Sequence, residues 1–176
     1  MNITVTGNLE AVDQLINFID DLNDTQYTFR AQPWFDSSIG QHLRHIVDLY
    51  LALIVNTDGT TIDYDVRRRG AAIETNRKIG LQELRDINSW LNIVSCENID
   101  KPIKIITEVS MNTQSTQQYD SSFGRELSFA SSHLTHHLAL MAVIAKIAGK
   151  QVDPILGLAP STATFIRKQQ VAVCAP

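Results

Sequence analysis

Cysteine is scarce in this sequence, with only Cys96 and Cys174 among 176 residues. Two cysteines far apart in the chain cannot form the disulfide framework of a small secreted domain, and they show no metal-binding spacing. No window approaches the roughly 18 to 20 uninterrupted apolar residues of a membrane span. The first seven residues lack the charged and apolar regions of a secretory signal. These absences predict a cytoplasmic protein without a membrane partner.

Dense positive charge is also absent, apart from the run Arg67-Arg68-Arg69. The net charge is −4, and acidic and basic residues are mixed along the chain. Binding to nucleic-acid phosphates requires a dense cationic face, so no nucleic-acid partner is expected. The apolar fraction of 44% is ordinary for a globular protein, and 176 residues suffice for one domain with its own core.

Four segments carry apolar residues at helical spacing. They predict helices over about residues 8–30, 36–56, 74–94 and 123–150. Asp36 or Ser37 suits the start of the second helix, and Gly149 suits the end of the fourth. Four amphipathic helices of this length must bury their apolar faces on one another. An all-α fold, a four-helix bundle, is therefore expected.

Two long connections separate these helices, over residues 57–72 and 99–122. In the second connection, Ile103, Ile105 and Ile106 resemble a strand and are followed by a turn-forming stretch. This pattern predicts a short β-hairpin between the third and fourth helices. The expected organisation is a bundle over residues 1–150 and a C-terminal tail over 151–176 that packs on it, with a short helix from 161 to 169.

The fourth helix carries His133 and His137 in the middle of its apolar face. The two residues are four positions apart, so their side chains lie one turn above the other. A single histidine on such a face is usually a core residue that is hydrogen-bonded to its neighbours. A pair at this spacing favours a chelated metal ion, because neutral imidazole is the commonest metal ligand.

The second helix offers a third histidine from two candidates, His42 and His45. On a helical projection His42 falls inside the apolar face and His45 at its margin, so spacing alone favours His42. Three histidines without a fourth protein ligand would make an open site of the kind that catalytic zinc uses. Imidazole ligands also suit nickel, iron or copper.

The pattern Ser-Ile-Gly-x-x-x-x-His on the second helix, with a later His-x-x-x-His before an apolar segment that ends in glycine, resembles the DinB/YfiT-like superfamily. The resemblance implies a four-helix bundle with up-down-down-up topology, commonly dimeric, and a three-histidine metal site. It selects His45, seven residues after Ser38, and keeps His42 as the reserve ligand beside His133 and His137. The Arg-Gly-Gln that often follows the last histidine is replaced by Leu138-Ala139-Leu140.

The resemblance also implies a function. It predicts one divalent metal ion, zinc or nickel first and iron or manganese second, that activates a low-molecular-weight thiol for transfer to an electrophilic small molecule. A metal-dependent hydrolase is the close alternative. Two further alternatives are not enzymes. One is a non-catalytic metal-binding or stress-associated bundle, and the other is an interaction protein with core histidines. The missing fourth ligand favours chemistry, although Glu74 could supply a loop carboxylate.

Charged residues precede the third helix. Arg67, Arg69 and Glu74 are predicted to line the mouth of the metal pocket and to bind an anionic substrate. The alternative is a solvated charge cluster or an ion pair that holds the loop. Asp48 is a candidate hydrogen-bond partner for a ligating histidine. Its place on the polar side of the second helix favours a surface acid instead.

Overall fold

The computed structural model of the protein describes residues 2–55, 61–94 and 99–173. The fold is mostly helical, with a small three-stranded sheet. Within the described residues the helices are α1 (Ile3–Asp20), α2 (Asp24–Thr28), α3 (Ile39–Val55), α4 (Arg77–Ile93), α5 (Phe123–Ile147) and α6 (Pro160–Val173). The strands are β1 (Thr61–Asp63), β2 (Pro102–Glu108) and β3 (Thr116–Ser122). Cys96 and Cys174 lie outside the described residues.

The predicted first helix is two helices in the structure, α1 and α2. The break has a local cause at Asn23. Its side chain accepts a hydrogen bond from the backbone N–H of Gln26 at 2.8 Å, and the Gln26 side chain accepts one from the N–H of Asn23 at 3.1 Å. This reciprocal capping box starts a new helix, so the prediction of one continuous helix over 8–30 was wrong.

The other three long helices match the predicted segments in type, with shifted ends. The start of α3 is capped by Ser38 rather than by Asp36 or Ser37, since the Ser38 Oγ accepts from the N–H of Gln41 at 3.3 Å. A separate 3-10 turn, Ala72–Glu74, comes before α4. Asn76 then caps α4 by accepting from the N–H of Lys78 at 3.1 Å.

Helices α1, α3, α4 and α5 surround one core. Both α1 and α3 pack against α4 and α5. Asn88 of α4 donates to Asp13 of α1, and Arg77 at the start of α4 donates to the carbonyl of Asp20 at the end of α1. The helices α1 and α4 are therefore antiparallel.

The direction of α5 follows from contacts at its end. Lys150, just after α5, donates to the carbonyl of Asp21, just after α1, so the two helices end side by side. His42 and His45 of α3 meet His137 and His133 of α5 respectively. Since the later residue of α3 meets the earlier residue of α5, these two helices are antiparallel.

The predicted hairpin is confirmed as β2 and β3, which pair antiparallel with Ile105 opposite Tyr119. The structure adds β1, which pairs parallel to β2 with Ile62 opposite Ile105. This strand was not predicted, because three residues are too short for a periodic signal and their partner lies far along the chain. Strand β3 leads directly into α5 and packs against it.

The C-terminal segment contacts the helices before α6 begins. Val152 and Leu156 are partly buried against the core, and the N–H of Gly157 donates to Gln14 of α1 at 3.3 Å. The division at residue 150 stays a prediction. Among the described residues, no helix combines the length and the apolar character needed to cross a bilayer.

Candidate metal centre

The crossing of α3 and α5 brings four histidines together. The Nε2 atom of His133 lies 2.8 Å from the Nε2 of His45 and 3.0 Å from the Nε2 of His137. One nitrogen from each of these three rings lies within 4.8 Å of the other two. The structure therefore groups the three histidines that the resemblance selected, and it draws them from two helices.

These nitrogens are close enough together to hold a small cation. A tetrahedral zinc ion with Zn–N bonds of about 2.0–2.1 Å would separate its ligand nitrogens by roughly 3.3 Å. The two observed separations of 2.8 and 3.0 Å are slightly shorter, so small ring rotations would open the site. A neutral imidazole has one donor and one acceptor nitrogen. The single Nε2 of His133 cannot form good hydrogen bonds to both neighbours at once, whereas three lone pairs can share one cation.

His42 lies on the other side of the His137 ring. Its Nδ1 is 2.9 Å from the Nδ1 of His137, so one of these two nitrogens carries the shared proton. If His137 presents its Nε2 to a metal ion, its Nδ1–H donates to His42. Ligating histidines commonly make such an outer hydrogen bond, which sets the orientation of the ring. His42 therefore contacts a candidate ligand and stands outside the group of three.

Burial keeps these rings neutral. It lowers the pKa of His45 to about 4, with a further contribution from the positive charge of Arg67. It also lowers the pKa of His137 to about 3, helped by the neighbouring histidines. The pKa values of His42 and His133 are lowered as well, mainly by burial. Neutral imidazole at pH 7 is the form that binds metal ions.

An ion-pair network lies beside the histidines. Arg44 donates from Nε to Glu74 at 2.9 Å and from Nη1 to Asp48 at 3.2 Å. Arg68 donates from Nε to the other oxygen of Asp48 at 2.7 Å. The Asp48 side chain is only 2% exposed, so its interpretation as a surface acid was wrong. The loop after β1 covers this face of α3, which the helical projection treats as solvent.

Glu74 is buried and holds that loop. The carboxylate oxygen that binds Arg44 also accepts from the N–H of Gly70 at 3.1 Å. The backbone of Glu74 lies directly against Gly40, where a Cβ would be only 2.1 Å from the carbonyl oxygen of Glu74. The absence of a side chain at Gly40 makes this contact possible. The glycine of the Ser-Ile-Gly motif therefore lets the Ala72–Glu74 turn rest directly on α3. Sequence reasoning missed the roles of Arg44 and Arg68, although the Arg44–Asp48 spacing is a helical ion-pair spacing.

Two cavities flank the histidines, and they separate the predicted substrate residues. A cavity of about 590 Å³ is lined by the buried Glu74, the exposed Arg69 and three of the histidines, namely His42, His45 and His137. A smaller cavity of about 240 Å³ contains Arg67 with His45 and His133. The structure therefore brings all three loop residues near the histidines, on two different sides. Their roles as substrate contacts stay predictions.

No protein-family profile matches the chain. The chain is similar to FK506-binding protein 5 of Rhizopus delemar, with 33% identity over 110 residues. The matched region covers 62% of this chain but only 29% of that relative. The chain thus spans less than a third of the length of this curated relative.

Proposed function

We propose that this protein is a metal-dependent enzyme with one divalent ion held by His45, His133 and His137. The convergence of three imidazole Nε2 atoms, two of their separations being 2.8 and 3.0 Å, carries the proposal. The lowered pKa values of the three histidines support it, since they leave the lone pairs free at neutral pH. Zinc and nickel are the first candidates, with iron and manganese next.

The fold proposed with this function is a DinB/YfiT-like four-helix bundle with up-down-down-up topology. Four helices would form it, namely α1, α3, α4 and α5. Their mutual packing and the contact directions given above support this arrangement. A homodimer, which the sequence resemblance implies, is part of the same proposal. The cytoplasmic location expected from the sequence is part of it as well. Light scattering after size-exclusion chromatography would test the dimer directly.

The protein's own residues would orient the site. His42 would hold the His137 ring through its Nδ1, and Arg44 would hold the loop over α3 through Glu74. Three protein ligands leave a coordination position for a substrate. A bound metal ion would supply Lewis-acid activation of a thiol or a water molecule. Thiol transfer from a low-molecular-weight thiol to an electrophile is the proposed reaction, and metal-dependent hydrolysis is its alternative.

The cavity of about 590 Å³ would receive the thiol. Its walls include three polar side chains: Ser37 just before α3, Gln41 in its first turn, and the exposed Arg69. Such a lining suits a hydrophilic cosubstrate better than an apolar one. A metal ion that only ties α3 to α5 would be the non-catalytic alternative. The name of the Rhizopus relative says that it binds FK506. Since the match covers only 29% of that relative, we do not propose FK506 binding for this chain.

Elemental analysis of the untagged protein tests the metal site. We expect near-stoichiometric metal in the wild type and its loss in His133→Ala and His137→Ala. His136→Ala is the matched control, because His136 is an exposed neighbour on α5 that lies outside the group of three. If the wild type binds no metal even after incubation with zinc or nickel, the three histidines are core residues and the proposal fails.

Activity assays then separate the alternatives. A thiol cosubstrate that contacts the metal should slow removal of the metal by a chelator in the wild type. Thiol-dependent consumption of an electrophile, lost in His137→Ala, would support transfer. Turnover of an ester without any thiol would instead support hydrolysis. A fully loaded protein that does neither would favour the non-catalytic bundle.

A further inference from the structure

Arg67 is the unusual residue of the smaller cavity. Its Nη1 atom is buried and has no hydrogen-bond partner in the described part of the chain. The Arg67 residue as a whole is half-buried. An arginine keeps its charge at any ordinary pH, and removing part of that charge from water is costly unless it is paired. Buried polar atoms without a partner are rare in native proteins and usually indicate a missing ligand or water. A group outside the described residues is therefore expected to complete this guanidinium.

Two of the neighbouring carboxylates are already engaged. Both oxygens of Asp48 accept hydrogen bonds, one from Arg68 and the other from Arg44 and the backbone of residue 68. Glu83 pairs with Arg68 at 2.7 Å. Asp65 attracts the charge of Arg67 but is exposed, and no ion pair joins the two within the described structure. If Asp48 or Glu83 turned towards Arg67, another arginine of the network would therefore lose its hydrogen-bond partner.

Glu126 is a carboxylate that lines the cavity itself, and it is fully buried. Its Oε2 accepts from the hydroxyl of Tyr64 at 2.7 Å, and its Oε1 accepts from Ser121 at 2.6 Å and from Arg125 at 3.0 Å. This carboxylate is complete without Arg67. Arg125 also lines the cavity and pairs with Glu126, so Arg67 leaves the cavity with one positive charge in excess. That excess suits a singly charged anion better than a doubly charged one such as phosphate.

Three apolar side chains line the same cavity as Arg67 and the histidines. They are Leu49, Ile105 and Phe129. The Phe129 ring lies 5.6 Å from the ring of His133, centroid to centroid. A molecule anchored at Arg67 would pass along Phe129 towards His133 and His45. The volume of about 240 Å³ limits such a molecule to a small one.

We propose that this cavity binds the carboxylate of a small substrate with a compact apolar body, and that Arg67 is its partner. A planar guanidinium matches the two oxygens of a carboxylate, and the apolar walls match the rest of the molecule. This deepens the proposed function, on which it rests for calling the ligand a substrate. It selects Arg67 over Arg69 as the anion contact.

Calorimetry with benzoate tests the proposal on the full chain after treatment with a chelator. We expect benzoate to bind the wild type and to bind Arg67→Gln at least about tenfold more weakly, because a hydrogen-bonded charge is lost. Arg69→Gln is the matched control and should bind as the wild type does, since Arg69 lies in the other cavity. Benzamide and inorganic phosphate should each bind more weakly than benzoate.

Three results would overturn the proposal. They are no benzoate binding by the wild type, equal binding by Arg67→Gln, or tighter binding of phosphate than of benzoate. If Arg67→Gln does not fold, Arg67→Lys decides. Lysine keeps the charge without the planar fork, so it should bind benzoate measurably but more weakly than the wild type.

The same measurements distinguish failure of the metal-site proposal from failure of the carboxylate-pocket proposal. His137 lines the larger cavity and not the smaller one, so His137→Ala should lose metal and still bind benzoate. Benzoate binding by a wild type that never takes up metal would support the carboxylate pocket and refute the metal centre. Benzoate binding that needs added zinc would show that the carboxylate contacts the metal. That result would overturn the Arg67 pocket and leave the metal centre intact.

Discussion

Replacement of Arg44 by methionine tests whether the buried ion-pair network holds the loop beside the histidines. The Arg44 side chain is 11% exposed and pairs with Glu74 and Asp48. Methionine retains much of the apolar packing and removes the charge. Asp48 keeps Arg68 at 2.7 Å, whereas Glu74 keeps, among the described residues, only the backbone N–H of Gly70. The substitution therefore leaves one buried carboxylate without a cation.

The magnitude follows from that one orphaned charge. Removing one partner of a buried ion pair costs about 3–5 kcal/mol, and the lower end applies here because Asp48 stays paired. For a chain of this length, each kcal/mol lowers the midpoint of thermal unfolding by roughly 2–4 °C. We therefore expect a loss of about 3 kcal/mol in the free energy of unfolding and a drop of roughly 6–12 °C in the midpoint.

Urea unfolding followed by circular dichroism, beside a thermal scan, measures both quantities. Arg85→Met on α4 is the control, because Arg85 is exposed and its loss should change stability by about 0.5 kcal/mol or less. The double variant Arg44→Met with Glu74→Gln should recover part of the loss, since it removes both charges of one pair. A loss below about 1 kcal/mol in Arg44→Met would refute the view that this network is closed to solvent.

Three further predictions concern His42, Gly157 and pH. His42→Ala should weaken metal binding by about 10–100-fold in chelator competition without changing the metal stoichiometry. If the variant loses the metal altogether, His42 is itself a ligand. Gly157→Ala should destabilise the protein in urea by about 1–3 kcal/mol. The φ of 73° at Gly157 disfavours a side chain, and a Cβ there would lie 2.6 Å from the backbone nitrogen of Ala139. Gly7→Ala in α1, where a Cβ meets nothing within 4 Å, should be neutral or stabilising, and an equal loss at both positions would contradict the steric explanation. In the folded protein the pKa of His45 is about 4 and that of His137 is about 3, both below the ordinary value of 6.5. As the pH falls towards and below 6.5, the unfolded chain therefore binds more protons than the folded protein does. The free energy of unfolding of the metal-free protein should therefore decrease from pH 7.5 to pH 5.5 in urea titrations, less so in His137→Ala, and equal slopes in the two proteins would count against neutral buried rings.

Local patterns in the sequence predicted most of the helical structure. The spacing of apolar residues located the segments that became α3, α4 and α5, because a helix that buries one face must repeat its apolar residues every three or four positions. The hairpin of β2 and β3 was predicted for a similar local reason. The break at Asn23 was also encoded locally, in the Asn23 and Gln26 capping pair, but the continuous apolar pattern concealed it.

Contacts between distant segments decided what these patterns could not. The parallel pairing of β1 with β2 joins residues about 40 positions apart, and the burial of Asp48 depends on a loop that folds over α3. No periodicity within one segment contains that information.

The histidines show the same division. Their spacing on two helices, with the family resemblance, predicted a site from His45, His133 and His137, and their role as ligands stays a prediction. The crossing of α3 and α5 determined that His45 faces His133 while His42 contacts the far nitrogen of His137. A helical projection gives only the direction of a side chain around its own axis. The partner atom at the end of that side chain depends on how the second helix packs, and only the tertiary structure sets that.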